Sequence, residues 1–318
     1  MVKFGIVGCG GIAKKFARDM EYVKNAKITA VSARNKETSQ KYKEKYNVDF
    51  AYSSYLDLAK SKEIDAVYIA TPHNFHYELA KMFMNQGKHV LIEKSITVNL
   101  KQLLELIHIA KVNNVLLMEA LWTHFLPSSQ YIKKLISSLG DLKEASIDFG
   151  YDLLGNNPKK RLLDLNLAGG SLLDIGVYPI SFYHFIKKAP IKSITAKANF
   201  TATGVDAYCD INIVDENDAR ISIKSSIDRL LTNNATFIYE NGTIKLIDFS
   251  RCEVFYVDGK KHEIPYINEG FPHQIQSFVD TIEGGKTENE IMTHRASINC
   301  MTTMDQVRNE IGLIYPFE

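Results

Sequence analysis

The sequence predicts an α/β domain built on a doubly wound parallel sheet, followed by an α+β domain with a large, mostly antiparallel sheet. Three observations predict it. Apolar strand-like runs alternate with helix-period segments from Val2 to Ala120, as in a parallel sheet covered by helices on both faces. The first of these runs ends in a dense glycine turn, Gly8-Cys9-Gly10-Gly11. Beyond Leu139 the apolar period shortens to two and polar turn pairs punctuate it, the pattern of hairpin-joined strands. Residues 1–121 are expected to form the first domain and 122–318 the second.

In chain order, the expected strands of the first domain are 2–7, 27–32, 66–70, 89–92 and 115–119, each a short apolar run. Helices are expected between them over 12–22, 36–46, 55–59, 75–86 and 100–112, where apolar residues recur at helical spacing. After Pro127 a helix over 131–139 leads into the second domain. Its strands are expected at 145–151, 193–203, 208–214, 220–227, 236–239, 243–247, 253–257 and 262–265. Asp215-Glu216-Asn217-Asp218, Asn241-Gly242 and Asp258-Gly259 supply turn residues between them. The last helical stretch, 292–311, has no strand after it and is expected to pack back across both domains.

Composition narrows the function classes. The 318 residues are 45% hydrophobic and 24% charged, and 38 Lys and Arg balance 37 Asp and Glu. No basic or acidic field marks a nucleic-acid or anionic-membrane partner. Met1 leads directly into the first strand, without the basic and apolar regions of a signal peptide or a membrane span, so a cytoplasmic location is expected. Cys9, Cys209, Cys252 and Cys300 lack CxxC spacing, so reduced, structural cysteines are expected and no zinc cluster.

Gly8, Gly10 and Ala13 stand at the spacing GxGxxA. The first glycine allows a tight turn, the second lets a pyrophosphate approach the backbone, and the small third residue lets helix and strand pack closely. The helix N-terminus then offers unpaired N–H groups and the positive end of its dipole. Gly8, Gly10, Gly11 and Ile12 are therefore candidates to bind a dinucleotide. At the end of the second strand an NAD site carries a carboxylate for the ribose hydroxyls. Here Ser32 and Arg34 stand instead, a hydroxyl and a planar cation suited to a 2′-phosphate. NADP(H) is the expected cofactor, with NAD(H) as the second choice.

The run Thr71-Pro72-His73-Asn74-Phe75-His76 follows the expected strand at the carboxyl edge, where ligands of open α/β sheets bind. Thr71, Pro72, Asn74 and His76 are candidates for cofactor contact. His73 and His76 lack the carboxylate or thiol neighbours of a metal site, and no metal is expected. The next strand ends in Glu93-Lys94-Ser95. A lysine at such a strand end, partly stripped of solvent beside a nicotinamide, can share in proton chemistry near neutrality. The same pair also reads as a surface ion pair.

Five ordered motifs together resemble the Gfo/Idh/MocA family: the N-terminal GCGGIA, ATPHNFHYELA from Ala70 to Ala80, Glu93-Lys94, WTHFLP from Trp122 to Pro127, and GGSLLDIGVYP from Gly169 to Pro179. The resemblance covers nearly the whole chain and is nearest to the dihydrodiol dehydrogenase and NADP-dependent xylose dehydrogenase branch. It implies a Rossmann domain, an open-faced sheet bearing the substrate site, and a homo-oligomer, such as a homodimer, formed through that sheet. Such a sheet leaves alternate apolar residues, Ile221, Ile223, Phe237 and Ile238 among them, on one face or the other.

Carried across, the family's Glu-Lys-Pro motif falls on Glu93, Lys94 and Ser95, with serine in place of proline. Its Asp-x-Gly-x-His/Tyr-Pro motif falls on Asp174, Gly176, Tyr178 and Pro179. The resemblance thus implies catalytic roles for Lys94, Tyr178 and Asp174, with Glu93 and Lys94 also at the cofactor. It places Trp122, His124, Asp174 and Tyr178 in the substrate pocket, His124 replacing a commoner arginine. Tyrosine ordinarily ionises near pH 10 and needs a cation to act as a base, a part assigned to Lys94. The expected activity is hydride transfer between a nicotinamide and the secondary alcohol or carbonyl of a sugar, polyol or cyclic diol. The alternatives are a catalytically inactive NADP(H)-sensing protein and a methyltransferase, the latter disfavoured by the missing acidic ribose partner.

Overall fold

The structure is a computed structural model that describes residues 1–155 and 159–318. The chain divides into two compact units, Met1–Trp122 with Ile267–Ser297, and Thr123–Tyr266 with Ile298–Glu318.

The first unit runs β1 (Val2–Val7), α1 (Gly11–Asp19), β2 (Ala26–Ser32), α2 (Lys36–Tyr46), β3 (Phe50–Tyr52), α3 (Tyr55–Lys60), β4 (Ala66–Ile69), α4 (His76–Met84), β5 (His89–Glu93), α5 (Leu100–Val112) and β6 (Leu117–Ala120). Its sheet is parallel throughout, in the order β3-β2-β1-β4-β5-β6. The order reverses between β1 and β4, and the crevice at the carboxyl ends there is where such sheets bind ligands. All four residues of β4 are fully buried, as expected of a strand covered on both faces. The helices start where the sequence supplies caps. Asn35 accepts from the N–H of Glu37 at 2.8 Å, Ser54 from Asp57 at 3.2 Å and Asn99 from Gln102 at 3.0 Å, each satisfying a donor the helix leaves over.

The second unit begins with a 3₁₀ turn over Trp122–Phe125, at the boundary, and α6 (Pro127–Leu135), with proline in the first turn where its missing N–H costs nothing. It continues with β7 (Leu142–Gly150), a five-residue π turn over Leu172–Gly176, α7 (Val177–Ile186), β8 (Ile191–Phe200), β9 (Asp206–Asp215), β10 (Arg220–Ser226), β11 (Ala235–Tyr239), β12 (Gly242–Leu246), β13 (Val254–Val257) and β14 (Lys260–Glu263). The strand order is β14-β13-β12-β11-β7-β10-β9-β8. Among the described residues β7 with β10 is the parallel pair and the remaining neighbours are antiparallel. Asp258 and Gly259 both have positive φ, 49° and 79°, the two-residue turn whose twist suits a hairpin.

One face of this sheet packs under α7, where Phe182 stacks on Phe237 at 5.9 Å. Ile221, Ile223 and Phe237 lie on that side and are buried, whereas Ile238 is 39% exposed. The opposite face carries Glu144, Ser146, Asn212, Arg220 and Ser222 beside Val214 and Ile238. Of the four apolar residues expected to alternate across the sheet, only Ile238 therefore reaches the open face.

After β14 come α8 (Phe271–Glu283), in the first unit, and α9 (His294–Ile311), within which the division between units falls. Phe278 of α8 packs on Phe4 of β1 at 5.7 Å and Phe271 on Trp122 at 5.5 Å. No helix among the described residues is long and apolar enough to cross a membrane.

Candidate active site

The first unit gathers its candidates in the loops after β1, β2, β4 and β5. Gly8 has φ +94°, and a Cβ there would stand 2.7 Å from the Ala70 carbonyl oxygen, so both the turn and the close approach require glycine. At Gly10 and Gly11 the opposite holds: nothing among the described residues lies within 4 Å of an added Cβ. Ile12 follows, half-buried. Gly10 caps α1 without a side-chain bond, and no acidic residue stands in the first turn. Open room over an uncapped helix N-terminus suits a pyrophosphate.

The neighbouring loops fit the rest of a dinucleotide. Arg34 is exposed at the end of β2, its guanidinium carbon 5.7 Å from the centre of the Phe75 ring. Ser32 is fully buried and its Oγ has no hydrogen-bond partner among the described residues. Of the two residues expected at a 2′-phosphate, Arg34 is therefore the exposed one and Ser32 lies beneath the surface. After β4, Thr71 Oγ1 and Asn74 Oδ1 are likewise buried without partners among the described residues, on either side of the extended Pro72. Such orphaned polar atoms are costly unless a ligand or water completes them, and they fit the polar groups of a dinucleotide.

His76 occupies a different place. It is fully buried, with Nδ1 2.8 Å from the Ser95 carbonyl and Nε2 2.9 Å from the Thr71 carbonyl. It ties the loop after β4 to the loop after β5 as a strut beneath the surface. Burial pushes its pKa down to about 4, and a neutral ring donates only one of those two bonds. His73 adds a contact from Nε2 to the Lys94 carbonyl at 3.2 Å.

Glu93 is 7% exposed and accepts a hydrogen bond from the Tyr68 hydroxyl, itself stacked on Phe16 at 3.9 Å. Lys94 is half-buried and its peptide bond to Ser95 is cis. The loop that carries it is held by Glu119 at the end of β6. Its Oε1 accepts from Ile96 N at 3.0 Å and its Oε2 from Ser297 Oγ at 2.6 Å. Burial raises the Glu119 pKa to about 7. Trp122 is 6% exposed, packed against Phe271 and under the Lys15 ammonium, 5.1 Å from the ring centre.

The second unit presents its candidates on one helical segment. Asp174 lies in the π turn and Tyr178 in the first turn of α7, four residues on. A π turn inside a helix often marks a functional site. Tyr178 is half-buried, its ring edge-on to Phe149 at 5.4 Å. Asp174, 8% exposed, takes a forked contact from Arg161, with Nη1 and Nη2 at 3.1 Å from Oδ1 and Nη2 at 3.2 Å from Oδ2. At the head of the segment the Asp206 carboxylate accepts from Leu172 N at 2.6 Å. Burial raises the Asp206 pKa to about 7.

His124 does not face an accessible pocket. It is 1% exposed, with Nε2 3.0 Å from Ser181 Oγ and its ring 4.6 Å from Phe185. Burial, reinforced by the nearby Lys133, lowers its pKa to about 3, so it is neutral at physiological pH and braces α7. The sequence reading misses Arg161, which there is one cation in the run Lys159-Lys160-Arg161. The signal available is Asp174 itself, because a buried carboxylate calls for a cation.

Comparison with known proteins adds to this geometry. Residues 2–121 match the family described as oxidoreductase family, NAD-binding Rossmann fold, and residues 129–245 match the GFO/IDH/MocA C-terminal domain. The chain is 31% identical over 326 residues to scyllo-inositol 2-dehydrogenase (NADP(+)) IolU of Bacillus subtilis, covering 99% of both chains. It is 31% identical over 330 residues to the trans-1,2-dihydrobenzene-1,2-diol dehydrogenase of Danio rerio, covering 99% of this chain and 98% of that one. The fold is that of the 3-ketoreductase KijD10 from Actinomadura kijaniata, solved with NADP and TDP-benzene, at a TM-score of 0.89, 21% identity and 98% coverage of each chain.

Proposed function

Because the chain belongs to the Gfo/Idh/MocA oxidoreductase family, we propose that Lys94, Tyr178 and Asp174 carry its reaction. That reaction is NADP-dependent interconversion of a secondary alcohol and its carbonyl on a sugar, polyol or cyclic diol. Relatives named for scyllo-inositol and for trans-dihydrodiols support that substrate range. The observation that carries the reading is the open, uncapped glycine turn of α1 combined with an exposed Arg34, and no carboxylate, at the end of β2.

Gly8, Gly10, Gly11 and Ile12 hold the pyrophosphate at the N-terminus of α1, Arg34 holds the 2′-phosphate, and Thr71, Pro72 and Asn74 line the cofactor. Bound NADP supplies the hydride acceptor in the oxidative direction. Tyr178 takes the proton of the reacting hydroxyl and returns it in reduction. Lys94 is assigned the positive charge that a tyrosine needs to act as a base. Asp174, fixed by Arg161, accepts from a substrate hydroxyl and orients the ring. Glu93 and His76 hold the loops that present Lys94 and Thr71.

A panel of polyols, sugars and cyclic diols, followed by absorbance of reduced nicotinamide, tests the reading. Turnover of at least one with NADP is expected. A protein that binds NADPH yet oxidises or reduces none of them overturns it. The same reading has a cytoplasmic homo-oligomer, most simply a dimer, joined through the open face of the second sheet. Light scattering at micromolar concentration should give a multiple of the 36.0 kDa chain mass, and a monomer would refute that part.

A further inference from the structure

The pairing of Arg161 with Asp174 has chemistry to spare. Asp174 is 8% exposed and Arg161 38%, so the carboxylate sits inside and the guanidinium forms the outer rim. A guanidinium carries five N–H donors in a rigid plane. The contacts to Asp174 use Nη1 and Nη2, and Nε–H has no partner among the described residues. A cation that only neutralised a buried carboxylate could be a lysine. The planar fork instead fixes the direction of the unused donors relative to the carboxylate oxygens.

We infer that Arg161 is a substrate-recognition residue, and that with Asp174 it reads two adjacent substrate oxygens: the carboxylate accepts from one hydroxyl and the guanidinium donates to its neighbour. This rests on Asp174 meeting substrate, as proposed above. The pair is neutral overall, so it selects an uncharged vicinal diol or hydroxyketone by geometry and not by charge. A bound substrate that lacks the second oxygen covers a guanidinium donor and leaves it unpaired. A polar site rejects an analogue that leaves its groups unpaired far more strongly than an apolar pocket rejects a missing methylene.

The test compares the best vicinal-diol substrate of the panel with its analogue in which the neighbouring hydroxyl is replaced by hydrogen. The unmodified enzyme should prefer the diol in kcat/KM by about ten- to a hundredfold, the range of one charge-assisted hydrogen bond. Arg161→Met should lose most of that preference: both substrates lose kcat/KM because Asp174 loses its ion pair, but the diol loses about tenfold or more beyond the deoxy analogue, chiefly through KM, with NADPH affinity intact. Arg161→Lys, which keeps the charge and loses the fork, should recover only part. Equal losses on both substrates, or an undiminished diol preference in Arg161→Met, would overturn the inference and make Arg161 a structural counter-ion. If the Met variant is too unstable to assay, the Lys variant decides: full recovery of the preference would refute the role of the fork. Absence of turnover by the unmodified enzyme would instead sink the activity itself and the inference with it.

Discussion

Gly10→Ala separates binding from folding at one atom. The residue has φ −72° and ψ −174°, a conformation alanine adopts freely, and nothing among the described residues stands within 4 Å of the added methyl. Alanine gains from a less flexible unfolded chain, about 0.4–1 kcal/mol, and loses a similar amount as a poor N-cap. Stability should therefore stay within about 1 kcal/mol, a melting shift of roughly 3 °C or less. On the proposed placement of the cofactor, the methyl nevertheless fills the room through which the pyrophosphate reaches the helix N–H groups. Losing one charge-assisted bond there costs about 1.5–3 kcal/mol, or roughly a tenfold to hundredfold rise in Kd for NADPH. Gly8→Ala is the contrast. Its φ of +94° and the Ala70 oxygen at 2.7 Å make the substitution strained at the backbone, and a loss of about 2–4 kcal/mol in stability is expected. Thermal melts with fluorescence titration of NADPH measure both quantities. A Gly10→Ala protein that binds NADPH within about threefold of the unmodified one would refute the placement of the cofactor.

Three further outcomes follow from the site. Arg34→Ala should abolish a preference for NADPH over NADH that titration of the unmodified protein shows, and equal or tighter NADH binding by the unmodified protein would contradict the assignment. Under the proposed mechanism Lys94→Met and Tyr178→Phe should each lower kcat by about 10² to 10⁴, and the double variant should be little worse than the poorer single one, as for groups that act as a unit. Near-normal kcat in Tyr178→Phe with NADPH bound would remove the tyrosine, and neutral, buried His124 could not replace it. For Asp206 the folded pKa of about 7 lies above the ordinary 3.8, so the folded state holds the extra proton and stability falls as pH rises from about 4 to 7. Between pH 5 and pH 8, Asp206→Asn should remove a fall of roughly 2.5 kcal/mol, read from urea unfolding at the two pH values; an unchanged pH dependence would refute it.

The parallel half of the fold is legible because its signals are local. The boundaries of β1, α2 and α5 coincide with those expected, and in α5 the buried Leu103, Leu106, Ile107 and Ala110 follow an Asn99 cap at helical spacing. The three-residue edge strand β3 is too short and too exposed to show a period. The segment of α7, Val177–Ile186, is apolar nearly all round, and a helix buried on every side has no polar face to mark its turn. In α8, Phe271, Ile275, Phe278 and Val279 do keep the helical spacing, but the surrounding period of two hides it. The glycine turn and the Glu93-Lys94 loop are readable for the same local reason. His124 and His76 are not: each stands in a recognisable motif, and only tertiary burial turns it inward, where Nε2 of His124 meets Ser181 and both ring nitrogens of His76 meet backbone carbonyls. The Arg161–Asp174 pair spans 13 residues without a shared period, so no pattern in the sequence announces it.

The return of Ile267–Ser297 to the first unit has a consequence for how the chain is made. Phe4 in the first strand awaits Phe278, and Trp122 and Lys15 await Phe271. At a synthesis rate of about 5–20 residues per second, the nascent first unit stays incomplete for roughly 10 to 35 s after Trp122 is translated. Throughout that interval it presents the aromatic bed of α8 to whatever is nearby. The whole second sheet must emerge before the cover arrives, so cutting the gene at residue 121 yields a sticky fragment and not a portable cofactor-binding module.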